Sequence, residues 1–234
     1  IEDEKIYEDK RLEVNGNIKI VNLSYTFNNK YYVLKNINLF IKDKDRVLLL
    51  GSSGSGKSTI LKLLYKYLQA DRNKIFINNY DINDYSMSDI RSSITYVSQN
   101  ELLFNDTIRN NILLDRDVSE VDYLNICKIL HIDDIVKDNI LGYDYILEEN
   151  GLNLSKGERK RLLIARSLLK GSDLVIFDES FNEIDVETER KILNNIFKNY
   201  PEKKVIMISH RLNNKDLFDK CYELKNKKLV LKEE

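Results

Sequence analysis

The sequence predicts an α/β fold with a mainly parallel β-sheet, and two observations lead to this prediction. The predicted strands Arg46–Leu50, 174–177 and 205–208 each contain four consecutive apolar residues, which is typical of strands buried on both faces of a sheet. They alternate along the chain with longer segments of helical spacing, such as 187–199, which ends just before Pro201. This alternation of buried strands with helices predicts a parallel sheet that is covered by helices.

The N-terminal part of the chain has a different pattern. Residues 1–17 are charged and lack apolar periodicity, which is typical of a linker or an extended arm. Two strand-like stretches follow at 18–25 and Tyr32–Ile41, and the turn-forming residues 28–30 separate them. The sequence therefore predicts a pair of strands ahead of the buried strand Arg46–Leu50.

The middle of the chain is helical in character. Asp106 is a candidate N-cap for a short helix, and 118–130 carries apolar residues at helical spacing. Residues 154–169 form a basic amphipathic segment, and 59–68 is a further apolar-rich helix. Shorter elements are predicted as strands at 74–77, Ile94–Val97, 222–224 and 229–231 and as a helical turn at 88–90.

Composition excludes several classes of function. With 234 residues, 42% hydrophobic and 32% charged, the chain is long enough for one large globular domain, or for one domain with a subdomain. The net charge of −1 provides no global basic field, so we expect no nucleic-acid partner. The two cysteines, Cys127 and Cys221, are far apart and lack His or Cys neighbours, which argues against a metal site or a disulfide. No apolar run approaches the roughly 18 residues that span a membrane.

A glycine-rich loop is the strongest motif. Residues 51–58 fit the pattern G-x-x-x-x-G-K-[ST], between a buried strand and a helix-like segment. Glycines allow the backbone N–H groups to approach phosphate oxygens, and the helix N-terminus adds unpaired donors. Lys57 can reach the β- and γ-phosphates, and Ser58 can ligate Mg²⁺. The predicted nucleotide contacts are Gly51, Ser52, Ser53, Gly54, Ser55, Gly56, Lys57, Ser58 and Thr59.

Polar residues at two other strand ends complete this candidate site. Asp178 and Glu179 directly follow the apolar run 174–177, and ligands bind at the carboxyl ends of parallel strands. We expect Asp178 to hold Mg²⁺, directly or through water, and Glu179 to act as a base or to orient the attacking water. His210 follows another buried strand and is expected to contact the γ-phosphate. His131 has no such context and is expected at the surface.

With these motifs in place, residues 18–231 resemble the nucleotide-binding domain of ATP-binding cassette (ABC) transporters. The resemblance makes 51–58 the Walker A loop, 174–178 the Walker B strand and Glu179 the catalytic glutamate. Residues 154–158, with the sequence LSKGE, stand where the family signature LSGGQ is expected.

Further positions match in order along the chain. Phe27 falls at the aromatic position that stacks on adenine, and Gln99 matches the Q-loop glutamine that senses Mg²⁺ and the transmembrane partner. Residues 180–185 lie where the D-loop is expected, and His210 matches the switch histidine. In the family, the signature of one subunit closes on the γ-phosphate that the other subunit binds. The contacts implied on that side are Ser155, Lys156, Gly157, Glu158 and Asp185.

The resemblance also implies an architecture and an activity. The expected fold is a P-loop NTPase core with a mainly parallel sheet, an N-terminal antiparallel β subdomain, and a helical subdomain at about 100–170 that carries the signature motif. The expected domains are a linker at 1–17 and an ABC ATPase domain at 18–234. The expected activity is hydrolysis of ATP with Mg²⁺, coupled to transport across a membrane.

Two segments indicate the exporter branch of the family. Residues 103–112 resemble the exporter pattern after the Q-loop, and 149–151 resemble the X-loop that touches the coupling helices of the membrane domain. The sequence is similar in these features to bacterial peptide or bacteriocin exporters. We therefore expect a transmembrane domain as partner, with residues 1–17 leading from it, and a second nucleotide-binding domain in an ATP-dependent head-to-tail dimer. The expected location is the cytoplasmic face of the cell membrane, and we expect this to be a bacterial plasma membrane.

Departures from the family pattern leave alternatives open. Lys156 replaces a signature glycine, Glu158 replaces the signature glutamine, and Phe27 replaces the usual tyrosine. The side chain of Lys156 either adds positive charge near the phosphates or crowds their approach. The altered signature leaves a catalytically weak cassette as one alternative. An importer ATPase is a second alternative. Cassettes that act on DNA or ribosomes carry long inserts, zinc cysteines or basic surfaces, and none of these is present between Gln99 and Leu154.

Overall fold

The computed structural model describes residues 16–28, 30–99 and 101–232. Most of the predicted linker at 1–17 and one residue of the predicted turn, Asn29, lie outside the described residues. The strands are β1 (Ile18–Thr26), β2 (Tyr32–Ile41), β3 (Arg46–Leu50), β4 (Ile75–Ile77), β5 (Tyr80–Asp81), β6 (Ile94–Val97), β7 (Leu174–Asp178), β8 (Lys204–Ile208), β9 (Lys220–Lys225) and β10 (Lys228–Leu231). The helices are α1 (Lys57–Leu64), α2 (Met87–Ser93), α3 (Ile108–Leu113), α4 (Glu120–Ile129), α5 (Asp133–Val136), α6 (Lys156–Leu168) and α7 (Val186–Asn199).

The central sheet has six strands in the order β10-β9-β3-β8-β7-β6. Every neighbouring pair is parallel except β9 and β10, which form an antiparallel hairpin. The apolar runs predicted as buried strands are therefore the inner strands of this sheet, and the prediction of a mainly parallel α/β fold is confirmed. Because β3, β7 and β8 are neighbours and run in the same direction, the residues that follow them meet at one edge of the sheet.

A second sheet has four antiparallel strands in the order β2-β1-β4-β5, which confirms the expected antiparallel β subdomain. Its inward residues share one apolar core with α1 and with one face of the central sheet. Alternate residues of β3 point to opposite faces, because side chains in a strand alternate with a period of two. Val47 and Leu49 therefore belong to this core, whereas Leu48 and Leu50 belong to the core on the other face.

The core on the other face is covered by helices. Apolar residues of α3, α4, α6 and α7 pack there against β7 and β8. The helix predicted to begin at Asp106 is capped by Thr107 instead, whose Oγ1 accepts from the Asn110 backbone N–H at 3.0 Å. The Asp106 carboxylate accepts from the Thr107 N–H and from the Asn110 side chain, so it supports the cap from one position earlier. That prediction was wrong by one residue.

Helix α6 begins two residues later than the predicted segment 154–169. Ser155 and Glu158 form a capping box, in which each side chain accepts from the backbone N–H of the other, at 3.3 and 2.8 Å. None of the helices in the described part of the chain combines the length and apolar character needed to cross a membrane.

Candidate active site

The glycine-rich loop joins the end of β3 to the start of α1. Gly51, Gly54 and Gly56 have φ values of +146°, +73° and +108°, in the region that favours glycine. A Cβ atom on Gly56 would lie 3.0 Å from a side-chain carbon of Leu34 and 3.1 Å from one of Val33, so the turn also leaves little room for a side chain. Helix α1 has no side-chain cap, and its first N–H groups remain available to an anion.

Lys57 is the cation of this loop. The residue is only 4% exposed, and its Nζ donates to the carbonyl oxygens of Gly51 and Ser52 at 2.8 and 2.9 Å. Burial lowers the pKa of Lys57, and the nearby carboxylates of Glu179 and Asp178 oppose that shift. A buried ammonium group beside uncapped N–H donors forms a cradle that fits the phosphate groups of a nucleotide.

Asp178, at the end of β7, lies beside Ser58 at the start of α1. The residue is 8% exposed; its Oδ1 accepts from the Ser58 hydroxyl at 2.9 Å and its Oδ2 accepts from the Tyr96 hydroxyl at 2.5 Å. Carboxylate and hydroxyl oxygens are the hard ligands that Mg²⁺ prefers. Residues 16–28, 30–99 and 101–232 contain no group of three or more His, Cys, Asp or Glu side chains arranged to hold a metal. The Ser58 hydroxyl and the Asp178 carboxylate are the groups that would hold a Mg²⁺ ion here.

Glu179 and His210 lie next to each other at the same sheet edge. His210 Nε2 is 2.7 Å from Glu179 Oε1, and its Nδ1 is 3.1 Å from the carbonyl oxygen of Gly51. Asn182 Nδ2 donates to Glu179 Oε2 at 3.2 Å. Glu179 has a φ of +55°, a backbone conformation that costs a non-glycine residue about 1 to 3 kcal/mol. The contacts with His210 and Asn182 thus fix the direction of the Glu179 carboxylate, and the fold holds the backbone of this residue in a strained conformation.

Most of the predicted nucleotide and metal residues line one cleft of about 660 Å³. Phe27 lies at its outer end, 64% exposed, with its ring edge-on to Tyr25 at 5.2 Å. Ser52 and Ser55 line an adjoining cleft between the loop and the β9–β10 hairpin. The predicted residues in the larger cleft are Phe27, Ser53, Gly54, Gly56, Lys57, Ser58, Thr59, Gln99, Asp178 and Glu179.

The signature segment lies in a separate cleft of about 530 Å³. Its side chains are partly engaged within the chain, because Ser155 and Glu158 cap α6 and Asp185 caps α7 through the Thr188 N–H at 2.9 Å. A Cβ atom on Gly157 would lie 3.1 Å from the Glu183 carbonyl oxygen, so α6 packs tightly on the segment 180–185. The predicted residues in this cleft are Ser155, Lys156, Gly157, Glu158 and Asp185, and within one chain they do not line the cleft of the glycine-rich loop.

Sequence reasoning missed several residues around these clefts. The Tyr96 hydroxyl contacts Asp178, and the Lys160 ammonium contacts the Gln99 carbonyl oxygen from the middle of α6. His131, expected at the surface, is partly buried, lines the signature cleft and lies 3.5 Å from Asp134. Tyr96 follows from the sequence only when β6 is known to lie beside β7: it then pairs with Ile176, and alternation puts residue 178 on the same face as residue 176.

Arg211, the residue after His210, was also missed. Its guanidinium donates to the carbonyl oxygens of Asn182 at 2.6 Å and Ile184 at 2.5 Å and to the carboxylate of Glu189 at 3.0 Å. It thereby fastens the segment 180–185 to the strand end that carries His210. A basic residue in a loop gives no sequence signal for such a role, because its acceptors are mostly backbone carbonyls.

Comparison with known proteins identifies the family. The ABC transporter family matches residues 34–182, which is more than half of the chain. The chain belongs to the ABC transporter family. An ATP-dependent lipid A-core flippase from Photobacterium profundum is 35% identical over 206 residues, covering 87% of this ABC chain and 35% of that protein. The lactococcin-G-processing and transport ATP-binding protein LagD from Lactococcus lactis subsp. lactis is 36% identical over 200 residues, covering 85% of this chain and 28% of that protein.

A solved structure agrees with these relatives. The structure of a bacterial Atm1-family ABC exporter with ATP bound matches with a TM-score of 0.85 and 32% identity, covering 94% of this chain and 39% of that one. This ABC chain thus spans between 28% and 39% of the length of the three proteins compared. The predicted resemblance to an exporter-type nucleotide-binding domain is confirmed, and so is the assignment as the ATPase domain of an ABC transporter.

Proposed function

We propose that this domain binds Mg²⁺–ATP at the glycine-rich loop, hydrolyses it, and thereby drives export through a membrane domain. The observation that carries the proposal is the convergence of Lys57, Asp178, Glu179 and His210 at one edge of the central sheet. Each lies at the end of a strand or the start of a helix, so the fold itself holds the groups that phosphoryl transfer requires in place.

The geometry supports a role for each group. The N–H groups of α1 and the Lys57 ammonium bind the phosphates, and Ser58 and Asp178 hold Mg²⁺, which when bound neutralises charge on the phosphate oxygens. Glu179 accepts a proton from the attacking water, and His210 stabilises the γ-phosphate.

The cleft wall supplies two further roles. Gln99, which lines the same cleft as Asp178, completes the metal side, and the exposed ring of Phe27 stacks on adenine.

The separate signature cleft supports a two-chain site. A second copy or a paralogue, placed head to tail, brings its Ser155 and the N–H groups near Gly157 to the γ-phosphate, opposite the loop of the first chain. The γ-phosphate then binds the closed dimer more tightly than the open one, so hydrolysis reopens it. Residues 18–234 form this motor domain, and residues 1–17 connect it to a membrane domain at the cytoplasmic face of the cell membrane.

We propose a peptide, such as a bacteriocin, as the exported substrate. The support is the similarity to LagD, named for lactococcin-G processing and transport, together with the exporter-like segments 103–112 and 149–151. Relatives with 35% and 34% identity are named as a lipid A-core flippase and as an iron-sulfur clusters transporter, so transport assays of the full-length protein with a peptide and a lipid test this choice.

The test of the motor role is hydrolysis of ATP by the purified chain and by Glu179→Gln. Loss of the base is expected to slow turnover by about 10²- to 10⁴-fold. The variant should retain ATP and elute as a dimer in size-exclusion chromatography, because the closed state cannot be released. The matched control is Glu187→Gln, which removes an exposed carboxylate that pairs with Lys191 at 2.7 Å. If Glu179→Gln hydrolyses ATP at the rate of the control, Glu179 is not the base.

A further inference from the structure

Both oxygens of the metal-side carboxylate are already hydrogen-bonded. Ser58 donates to Asp178 Oδ1 at 2.9 Å, and the Tyr96 hydroxyl donates to Oδ2 at 2.5 Å. The first contact belongs to the Mg²⁺ site proposed above. The second comes from a residue that the glycine-rich loop, the acidic strand end and the signature segment do not include.

Tyr96 is built firmly into the fold. It lies on β6 next to β7, and its ring packs against Tyr65 at 5.2 Å and Tyr67 at 5.9 Å between ring centres. The Arg91 guanidinium lies over the Tyr67 ring at 4.7 Å and closes the cluster on its outer side. An ionised carboxylate can only accept a hydrogen bond, so the Tyr96 hydroxyl is the donor in its contact with Asp178.

We propose that Tyr96 is a positioning residue that holds the Asp178 carboxylate in the orientation that binds Mg²⁺. This inference rests on the proposed function of the site. A carboxylate offers about four lone-pair positions, and the two hydrogen bonds occupy one on each oxygen. Oδ2 is thereby fixed towards β6, and Oδ1 stays beside Ser58, where a metal bound to the phosphates would lie. Partners of this kind fix the direction of a metal ligand although they never touch the metal.

The experiment compares nucleotide affinity with and without Mg²⁺. The dissociation constant of a fluorescent ATP analogue is measured in EDTA and in saturating Mg²⁺ for the wild-type chain and for Tyr96→Phe, which keeps the ring. Removal of an outer-shell partner typically lowers metal affinity by about 10- to 100-fold, so the affinity gained from Mg²⁺ should fall by up to that factor. The affinity in EDTA should stay unchanged, because the phosphate cradle itself is intact.

The matched control is Tyr65→Phe, which removes a hydroxyl from the same cluster. Tyr65 does not line the cleft, and no hydrogen bond of its hydroxyl is found in the described part of the chain, so the gain from Mg²⁺ should be that of the wild type. If Tyr96→Phe keeps the full gain or increases it, Tyr96 does not position the metal ligand. Failure of the wild-type chain to bind the analogue at all would refute the proposed function instead, so the two failures are distinguishable.

A second measurement uses the wild-type chain alone. The Tyr96 hydroxyl proton, hydrogen-bonded to a carboxylate, is expected to give a slowly exchanging, downfield NMR signal, assigned through its correlation with the protons of the Tyr96 ring. The signal should persist when Mg²⁺ and ATP are added. Its disappearance on Mg²⁺ binding would mean that Tyr96 releases Asp178 and does not hold it in the metal-binding orientation.

Discussion

Replacement of Arg211 by Met is expected to destabilise the domain strongly. Its guanidinium is the partner of Glu189, which is 1% exposed, and it also binds the carbonyl oxygens of Asn182 and Ile184. Removal of one member of a buried ion pair costs about 3 to 5 kcal/mol. Because the Arg211 side chain keeps 30% exposure, water can partly solvate the pair, and we expect a loss near the lower end, about 3 kcal/mol. For a chain of this size, that is a fall in melting temperature of roughly 6 to 12 °C.

The pH dependence of this destabilisation identifies the lost ion pair between Arg211 and Glu189 as its cause. Burial raises the pKa of Glu189 above its ordinary value, and Arg211 opposes that shift. Without Arg211 the pKa rises further, so the folded state takes up a proton more readily than the unfolded state does. The destabilisation by Arg211→Met should therefore be greatest at high pH, above the raised pKa, and should shrink as the pH falls towards the ordinary value of a glutamate. The double variant with Glu189→Gln should recover much of the loss at pH 8.

Denaturant unfolding at pH 8 and at pH 6 measures both effects. The control is Arg190→Met, which breaks an exposed ion pair with Asp216 at 2.6 Å and should cost less than about 1 kcal/mol. The ion pair with Glu189 is not what Arg211 contributes if Arg211→Met lowers the free energy of unfolding no more than this control does. The same holds if the loss is equal at both pH values and is not relieved by Glu189→Gln.

Two further predictions concern the two halves of the proposed site. Lys57→Ala should weaken ATP binding by about 1.5 to 3 kcal/mol, roughly 10- to 150-fold, because charge-assisted hydrogen bonds to phosphate are lost; calorimetry that shows unchanged affinity would contradict the phosphate role of Lys57. Lys156→Gly should leave the ATP affinity of the single chain unchanged, because Lys156 lies in the other cleft. Faster turnover than wild type in that variant would show that Lys156 crowds the dimer, and slower turnover would show that its charge assists closure.

Much of the fold could be predicted from the sequence, because its elements follow local rules. Buried parallel strands such as Arg46–Leu50 need continuous apolar runs, and the phosphate loop needs glycine at positions of positive φ. The ends of strands also predicted which polar groups would meet, as Asp178, Glu179 and His210 do at the sheet edge. These inferences need only chain order and the direction of the strands.

The residues that were missed depend on three-dimensional packing. Arg211 and Lys160 act through backbone carbonyls of distant segments, and any residue can supply a carbonyl. Tyr96 could be identified only once β6 was known to lie beside β7. The N-cap error at Asp106 has a similar origin, since two adjacent capping residues were available and the contacts of the whole turn decided between them.

The glycine-rich loop contains its own competitor for the nucleotide. The Lys57 ammonium already holds two carbonyl oxygens, so an arriving triphosphate exchanges those bonds for its own. The net affinity for the triphosphate therefore depends on how much stronger the bonds from Lys57 to phosphate are than its bonds to the two carbonyl oxygens. A nucleoside or a monophosphate that cannot reach the ammonium offers nothing in exchange and leaves the lysine in place. In the proposed site, we therefore expect the loop to select ligands by their number of phosphates before any partner chain closes over it.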